Sequence, residues 1–246
     1  MNYLHGIRLT PLHHEMSPFE RELGRLEKAA RKFHKARAKE ALAKNKSPSE
    51  KLAIERDMQR ELKHFQHEKR HAQNIGAVQA RLDEYRLSLR AKEGEKRSDL
   101  AKRQSAAGKE RHHPAKILAE FMRADGRPRP SPKHTPHHIV PGTGKTVMAA
   151  MARVQLHLYS VRINDPDNGA WMIRWLKDAG HWSMPNAKTH LSVHTHNYER
   201  WVFLNLSRIS DEQSMRNELK RLRLMLESGT QPKQVTMPPE NGWDGM

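Results

Sequence analysis

Apolar residues recur at helical steps through the first ninety positions of the chain. After Ser17-Pro18-Phe19-Glu20, Leu23, Leu26, Ala30 and Phe33 follow at three- and four-residue intervals. The tetrapeptide itself is a helix start: a Ser cap, Pro in the first turn and Glu three residues after the cap. Ser47-Pro48-Ser49-Glu50 repeats the signature. From it a thinner stripe runs through Ile54, Met58, Leu62 and Phe65, continues through Ile75, Val78, Leu82, Tyr85 and Leu89, and meets a stop at Gly94. These segments predict an antiparallel helical hairpin joined near Asn45-Lys46. Its stripes are narrow, so its stability is expected to lean on a partner surface.

Lys96 to Arg111 is polar and basic, which predicts frayed helix or linker, and Pro114 to Met122 predicts a short helix through Ile117, Leu118 and Phe121. Asp125-Gly126-Arg127-Pro128-Arg129-Pro130-Ser131-Pro132 then excludes regular structure, because alternate prolines fix φ and remove donors. A domain boundary is expected there. Beyond it, His137-His138-Ile139-Val140 reads as a strand and Val147 to Tyr159 as a helix with Met148, Met151, Ala152, Leu156 and Leu158 supplying core. Val161-Arg162-Ile163 reads as a second short strand, followed by the turn Asn164-Asp165-Pro166-Asp167-Asn168-Gly169. Lys188 to Ile209 predicts a helix with Leu191, Tyr198, Val202 and Leu206 on its apolar face. A last helix is expected from a Ser210 cap, with Gln213 in the box position, to about Glu227. It closes at Gly229, and Leu219, Leu222 and Met225 pack on the core. From Gln231-Pro232 onward a loose tail is expected.

Charge sharpens this division. The chain has 246 residues and a net charge of +17. Residues 1–133 hold 32 Lys and Arg against 18 Asp and Glu, whereas residues 134–246 hold 13 against 10. All five Trp lie beyond residue 170. The first half is therefore basic and core-poor, and the second is able to bury a compact core. The surplus of cations favours a polyanionic partner: nucleic acid, an acidic membrane surface or an acidic protein. No stretch of about 18 apolar residues offers a membrane span, and Met1 to Leu12 lacks the apolar centre of a signal peptide. Cys is absent, so any transition-metal site must use His and carboxylates, and 17 His residues supply the means.

The chemistry concentrates in the second half. Neighbouring side chains on a strand point to opposite faces, so of His137 and His138 one ring can hold a metal while the other faces a water. On the predicted helix His190 and His194 are four residues apart and project to one face, a recurrent metal-binding arrangement. Gly142-Thr143-Gly144-Lys145-Thr146 is not a Walker loop, because Ile139 stands where the first glycine of that motif belongs.

Taken in order, His137-His138-Ile139-Val140, Ala152-Arg153, Ile163 through Trp171 and His190-Leu191-Ser192-Val193-His194-Thr195-His196-Asn197-Tyr198 resemble the HNH/endonuclease VII (His-Me finger) superfamily. The finer likeness is to its AHH branch, common among bacterial polymorphic toxins. The resemblance covers roughly residues 134–208, and some 25 residues separate its two strands where a minimal hairpin is tighter. The N-terminal helices, which the resemblance does not reach, are expected to form a basic α-helical hairpin over 1–113, with a linker over 114–133 and a tail over 231–246. For the rest the resemblance implies a ββα-metal nuclease domain over 134–230, in a mainly α chain with a small β-hairpin. It implies that His138 is the general base, its N–H accepted by Asn168, with Asn164 the alternative. His137, His190 and His194 would hold one divalent metal. Three imidazoles suit Zn, Ni, Co or Mn better than Mg. Arg153, Lys145 and His196 are expected to touch nucleic acid. The implied activity is metal-dependent, sequence-nonspecific DNA cleavage. An RNase of the same fold, or a noncatalytic basic helical protein that coats nucleic acid, are the alternatives. By family context the chain would be a secreted antibacterial toxin, delivered without a signal peptide to the target-cell cytoplasm. It would have a cognate immunity protein and a secretion-apparatus or chaperone partner for its N-terminal helices.

Overall fold

The computed structural model describes residues 12, 15–108, 115–238 and 243, with the backbone of 3–4 and 7–8. The described chain is mainly helical. Tyr3–Leu4 (β1) and Ile7–Arg8 (β2) pair antiparallel, and Pro18–Ala41 (α1), Pro48–Leu87 (α2), Arg97–Gly108 (α3) and Ala115–Ala124 (α4) follow. His134–His138 (β3) and Gly169–Ile173 (β4) form a two-stranded antiparallel sheet, with Val147–Leu158 (α5) between them in sequence. His196–Leu206 (α6) and Glu212–Ser228 (α7) complete the order. Two compact units result: residues 1–80 with 124–126, and residues 81–123 with 127–246.

In the first unit the expected hairpin forms. Ser17 Oγ accepts the Glu20 amide and the Glu20 carboxylate accepts the Ser17 amide at 2.6 Å, the predicted reciprocal cap. Ser47 and Glu50 repeat it, with the carboxylate 2.9 Å from the Ser47 amide. α1 and α2 run antiparallel: His71 meets Glu22 at 3.0 Å, Phe33 stacks on Phe65, and Phe19 lies against Gly76. A Cβ at Gly76 would stand 3.0 Å from the Phe19 ring, so this glycine makes room for an aromatic rather than breaking the helix. Among the described residues of this unit the only buried hydrophobics are Ala29, Ala36, Ala43, Ala72 and Ala124. The core is as thin as the stripes predict.

The second unit departs from the expected boundaries. The division falls inside α2, after Ala80, rather than at the prolines. α2 stops at Leu87, before Gly94, and Arg103 gathers the chain that follows by donating to Arg90 O and to the Glu95 carboxylate. The segment read as frayed is the helix α3, whose Gln104 donates to Leu158 O. The residues read as a linker include α4, whose Leu118 and Met122 pack with Trp171 and Ile173. Gly169 admits them, since a Cβ there would stand 2.7 Å from Met122 Sδ. Polarity had disguised α3, of which only Ala107 is buried, whereas α4 forms where Pro114 to Met122 predicts a helix.

The second strand of the sheet is β4, not Val161 to Ile163. The register is His134↔Ile173 through His138↔Gly169. Val161 and Ile163 are buried, yet neither belongs to a strand among the described residues. β4 is buried at all five positions, which erases the alternation that marks a strand in sequence. Lys188 to Ile209 is not one helix. His190–Val193 form a 3-10 turn, and Thr195 caps a fresh start by accepting the Tyr198 amide at 3.0 Å. α7 is capped by Asp211 in place of Ser210, and it closes at Gly229 in the left-handed region (φ 74°), as predicted. The expected tail is not loose where described: Lys233–Thr236 form a 3-10 turn and Val235 is fully buried. Residues 109–114, 239–242 and 244–246 of the expected linkers and tail lie outside the described residues.

One buried ion cluster joins these elements. Asp165 is fully buried, 3.1 Å from Arg86 of α2 and 3.2 Å from Arg216 of α7, and Arg216 also reaches Asp167 at 2.6 Å. Burial opposes the Asp165 charge, but the two guanidiniums outweigh it and hold the carboxyl below its ordinary value. Removing one member leaves buried charge uncompensated. Asp165→Asn is expected to lower the unfolding free energy by about 3–5 kcal/mol in urea titrations, and a loss under about 1 kcal/mol would contradict the assignment.

Candidate metal and catalytic centre

β3 presents its two histidines to different surroundings. His137 is buried, and its Nε2 lies 2.8 Å from the Tyr198 hydroxyl. That hydroxyl spends its single proton on Ile139 O at 2.7 Å. It can therefore only accept from His137, which fixes the Nε2–H tautomer and leaves the lone pair on Nδ1. Among the described atoms, His137 Nδ1 is buried without a hydrogen-bond partner. A buried polar atom left this way is costly unless something binds it.

His190 and His194 complete the set. One nitrogen from each of His137, His190 and His194 lies within 4.8 Å of the others. His190 Nε2 and His194 Nε2 stand 3.1 Å apart. Two imidazole nitrogens at about 2.0–2.1 Å from a tetrahedral zinc-type ion would stand roughly 3.3 Å apart. The orphaned Nδ1, the close nitrogen pair and the all-imidazole donor set fit a divalent transition metal. The residues stay neutral to receive it. Burial, then the neighbouring rings, push His137 well below its ordinary value, and burial with His194 takes His190 to about 4. Burial and the Lys145 charge lower His194 as well.

His138 is held differently. Its Nε2 lies 2.9 Å from Asn164 Oδ1, so the amide oxygen accepts N–H and the lone pair is on Nδ1. The expected partner, Asn168, is not there. Its Oδ1 accepts the Val140 amide at 2.7 Å, and its Nδ2 donates to Val140 O and Ile163 O. Asn168 is a buried clamp between β3 and the turn; Asn164 reaches the histidine.

A cavity of about 320 Å³ opens beside these groups, lined by His137, His138, His190, His194, Glu199 and the 141–145 loop. The Glu199 carboxylate holds that loop by accepting the Lys145 amide at 2.7 Å and the Thr146 amide at 2.8 Å. Gly144 is required by proximity, since a Cβ there would stand 2.0 Å from that of Ala149. Lys145 lines the cavity and also fastens it, donating from Nζ to His194 O at 2.7 Å. Arg153 does not line it; the guanidinium donates to Pro141 O at 3.1 Å and so fixes the start of the loop. His196 is exposed in the first turn of α6 and does not line the cavity.

Sequence reasoning placed Tyr198 in the core and missed its hydroxyl, although its position four residues after His194 brings it to the cluster. Glu199 and the α2 residues Tyr85 and Arg86 were also missed. Tyr85 Oη accepts the Asn164 amide at 3.0 Å, and Arg86 holds Asp165. Both contacts span 79 residues and leave no local signal.

Residues 118–226 match a family model described as AHH, a nuclease family of the HNH/ENDO VII superfamily with conserved AHH. The matched segment is less than half of the chain and contains the whole cluster. Its one His-His pair is His137-His138, so Pro136 stands where the family motif has alanine. No curated protein and no solved structure matches the chain.

The depressed imidazoles make a prediction for the metal-free protein. Unfolded histidine takes up a proton near 6.5, whereas folded His190 resists protonation down to about 4. The stability this contributes is present above 6.5 and is lost as pH falls toward 4. Urea titrations in chelator at neutral and acid pH should show a shallower pH dependence for His190→Gln than for wild type; equal slopes would contradict the assignment.

Proposed function

We propose that the chain is a metal-dependent, sequence-nonspecific DNA endonuclease in which His138 is the general base. The observation that carries this reading is the joining of two differently equipped histidines on one strand. His137 faces two further imidazoles, and His138 is bonded to Asn164. The AHH match supports nuclease activity, and HNH/ENDO VII nucleases use a divalent metal.

His137, His190 and His194 would hold the metal in a His-Me finger arrangement. Once bound it supplies positive charge to the scissile phosphate and the leaving oxygen. The protein's own residues do the rest. Asn164 holds the His138 ring by Nε2–H, and His138 Nδ1 takes the proton of the attacking water. Tyr198 orients His137 in the same way. Lys145, on the cavity wall, offers a cation to the phosphodiester backbone. Arg153 and His196 would meet the same polyanion from outside the cavity.

The net charge of +17 supports a nucleic-acid substrate, and no described segment resembles a base-reading module. We further propose an antibacterial toxin role, with a cognate immunity protein and a delivery partner for the basic hairpin; this rests on the AHH likeness alone.

Purified protein should degrade plasmid DNA with added divalent metal and lose activity in chelator. His138→Ala is expected to lower the rate by about 10²–10⁴-fold, and Asn164→Ala by about 10–100-fold. Unchanged cleavage by His138→Ala would sink the mechanism. DNA retardation without cleavage under any metal would favour the noncatalytic alternative, and cleavage of RNA alone the RNase. Expression in bacteria should be toxic for wild type, with loss of stained nucleoids, and harmless for His138→Ala.

A further inference from the structure

Asn164 has a second face. Its Nδ2 is buried and has no hydrogen-bond partner, although its Oδ1 accepts from His138. The residue is 1% exposed, so an unmade donor bond is expensive there. Asn164 also lines a different cavity from the one at the metal centre, of about 360 Å³, within the range of small-ligand pockets, about 300–1,000 Å³. Glu84, Tyr85, Phe121, Arg162 and Ile117 line it with Asn164.

The walls are flat. The Arg162 guanidinium lies 4.0 Å over the Tyr85 ring and is steadied by a 2.8 Å bond to Ser88 Oγ. Arg81, which also lines the cavity, lies 5.8 Å over Phe121 and reaches Glu120 at 3.6 Å. Guanidinium planes and aromatic faces are the surfaces on which nucleobases stack. The edge groups are complementary: Asn164 offers a donor and Glu84 an acceptor. A base carries a carbonyl or ring-nitrogen acceptor beside amino or imino donors, and so can meet both. A bare phosphate would meet the Glu84 carboxylate and leave the aromatic walls unused.

We propose that this cavity is a nucleobase-binding subsite, in which a base of the nucleic-acid substrate stacks on the arginine–aromatic walls and accepts from Asn164 Nδ2. The inference rests on the nuclease reading and names what the enzyme grips besides phosphate. Because Asn164 lines this cavity and its Oδ1 bonds His138, a bound base would complete the hydrogen bonding of the residue that holds His138.

The test uses the full chain in chelator, so that the metal centre takes no part. The four deoxynucleoside 5′-monophosphates are titrated by calorimetry, with inorganic phosphate as competitor. At least one nucleotide should bind, phosphate should not displace it, and Ile117→Trp, which fills the cavity, should weaken binding by about tenfold or more. Unfolding curves and cobalt binding at the histidine triad should be unchanged in that variant. Glu84→Gln, at an exposed position that leaves the fold intact, should alter the ranking of the bases. Absence of nucleotide binding, full displacement by phosphate, or binding unaffected by both substitutions would overturn the proposal. Metal-dependent plasmid cleavage without nucleotide binding would sink this inference and leave the nuclease reading standing. Nucleotide binding without any cleavage would do the reverse.

Discussion

A neutral imidazole has one donor and one acceptor, and whichever nitrogen is given a partner decides what the other can do. The centre of this protein is built on that constraint twice. Tyr198 can only accept from His137, because its own proton is committed to Ile139 O. Asn164 Oδ1 can only accept from His138. Both rings are thereby held with the proton on Nε2 and the lone pair on Nδ1. Strand geometry then sends the two rings to opposite sides of the backbone. His137 stands with His190 and His194, its Nδ1 buried without a hydrogen-bond partner among the described atoms, and in the proposed mechanism the His138 lone pair takes the proton of the water.

The rest of the second unit holds those two acceptors in place. Asn164 sits in a turn fixed from three directions: Tyr85 accepts its amide, Asn168 ties the turn to Val140 just beyond β3, and Asp165 is gripped by Arg86 and Arg216. Such a buried ion cluster is a poor source of net stability, since desolvation offsets most of its attraction. It confers placement, because Asp165 follows directly on Asn164. The last turns of α2 thus hold the turn that brings Asn164 to His138. On the opposite wall, Glu199 uses two backbone amides to close the loop over the cavity, and α5 fills the interval between the strands with Ala152 and Leu156 in the core.

Much of this was legible in the sequence, for physical reasons that can be named. The Ser-Pro-x-Glu starts and the Gly229 stop are local chemistry and formed as read. The residues of the metal triad are spaced as a single site needs, and they meet, although His190 and His194 ride a 3-10 turn rather than an α-helix. What was not legible depends on contacts far apart in the chain. β4 is buried on both faces and has no alternation, so Val161 to Ile163 passed for the second strand. Asn164 and Asn168 are chemically alike in sequence; only the closing of the turn onto β3 shows that one clamps backbone and the other reaches His138. α3 reads as frayed helix or linker because Ala107 is its only buried residue. Tyr85 and Arg86 lie on a helix whose sequence advertises solvent-exposed charge.

The two roles proposed for His137 and His138 depend on their tautomers, and these can be observed directly. Long-range proton–nitrogen correlation spectra of the ¹⁵N-histidine-labelled, metal-free protein at neutral pH, assigned with His137→Gln and His138→Gln, should show both rings neutral with the proton on Nε2. A proton on Nδ1 of either ring, or a mixture of the two forms at His138, would contradict the division of labour on which the centre depends.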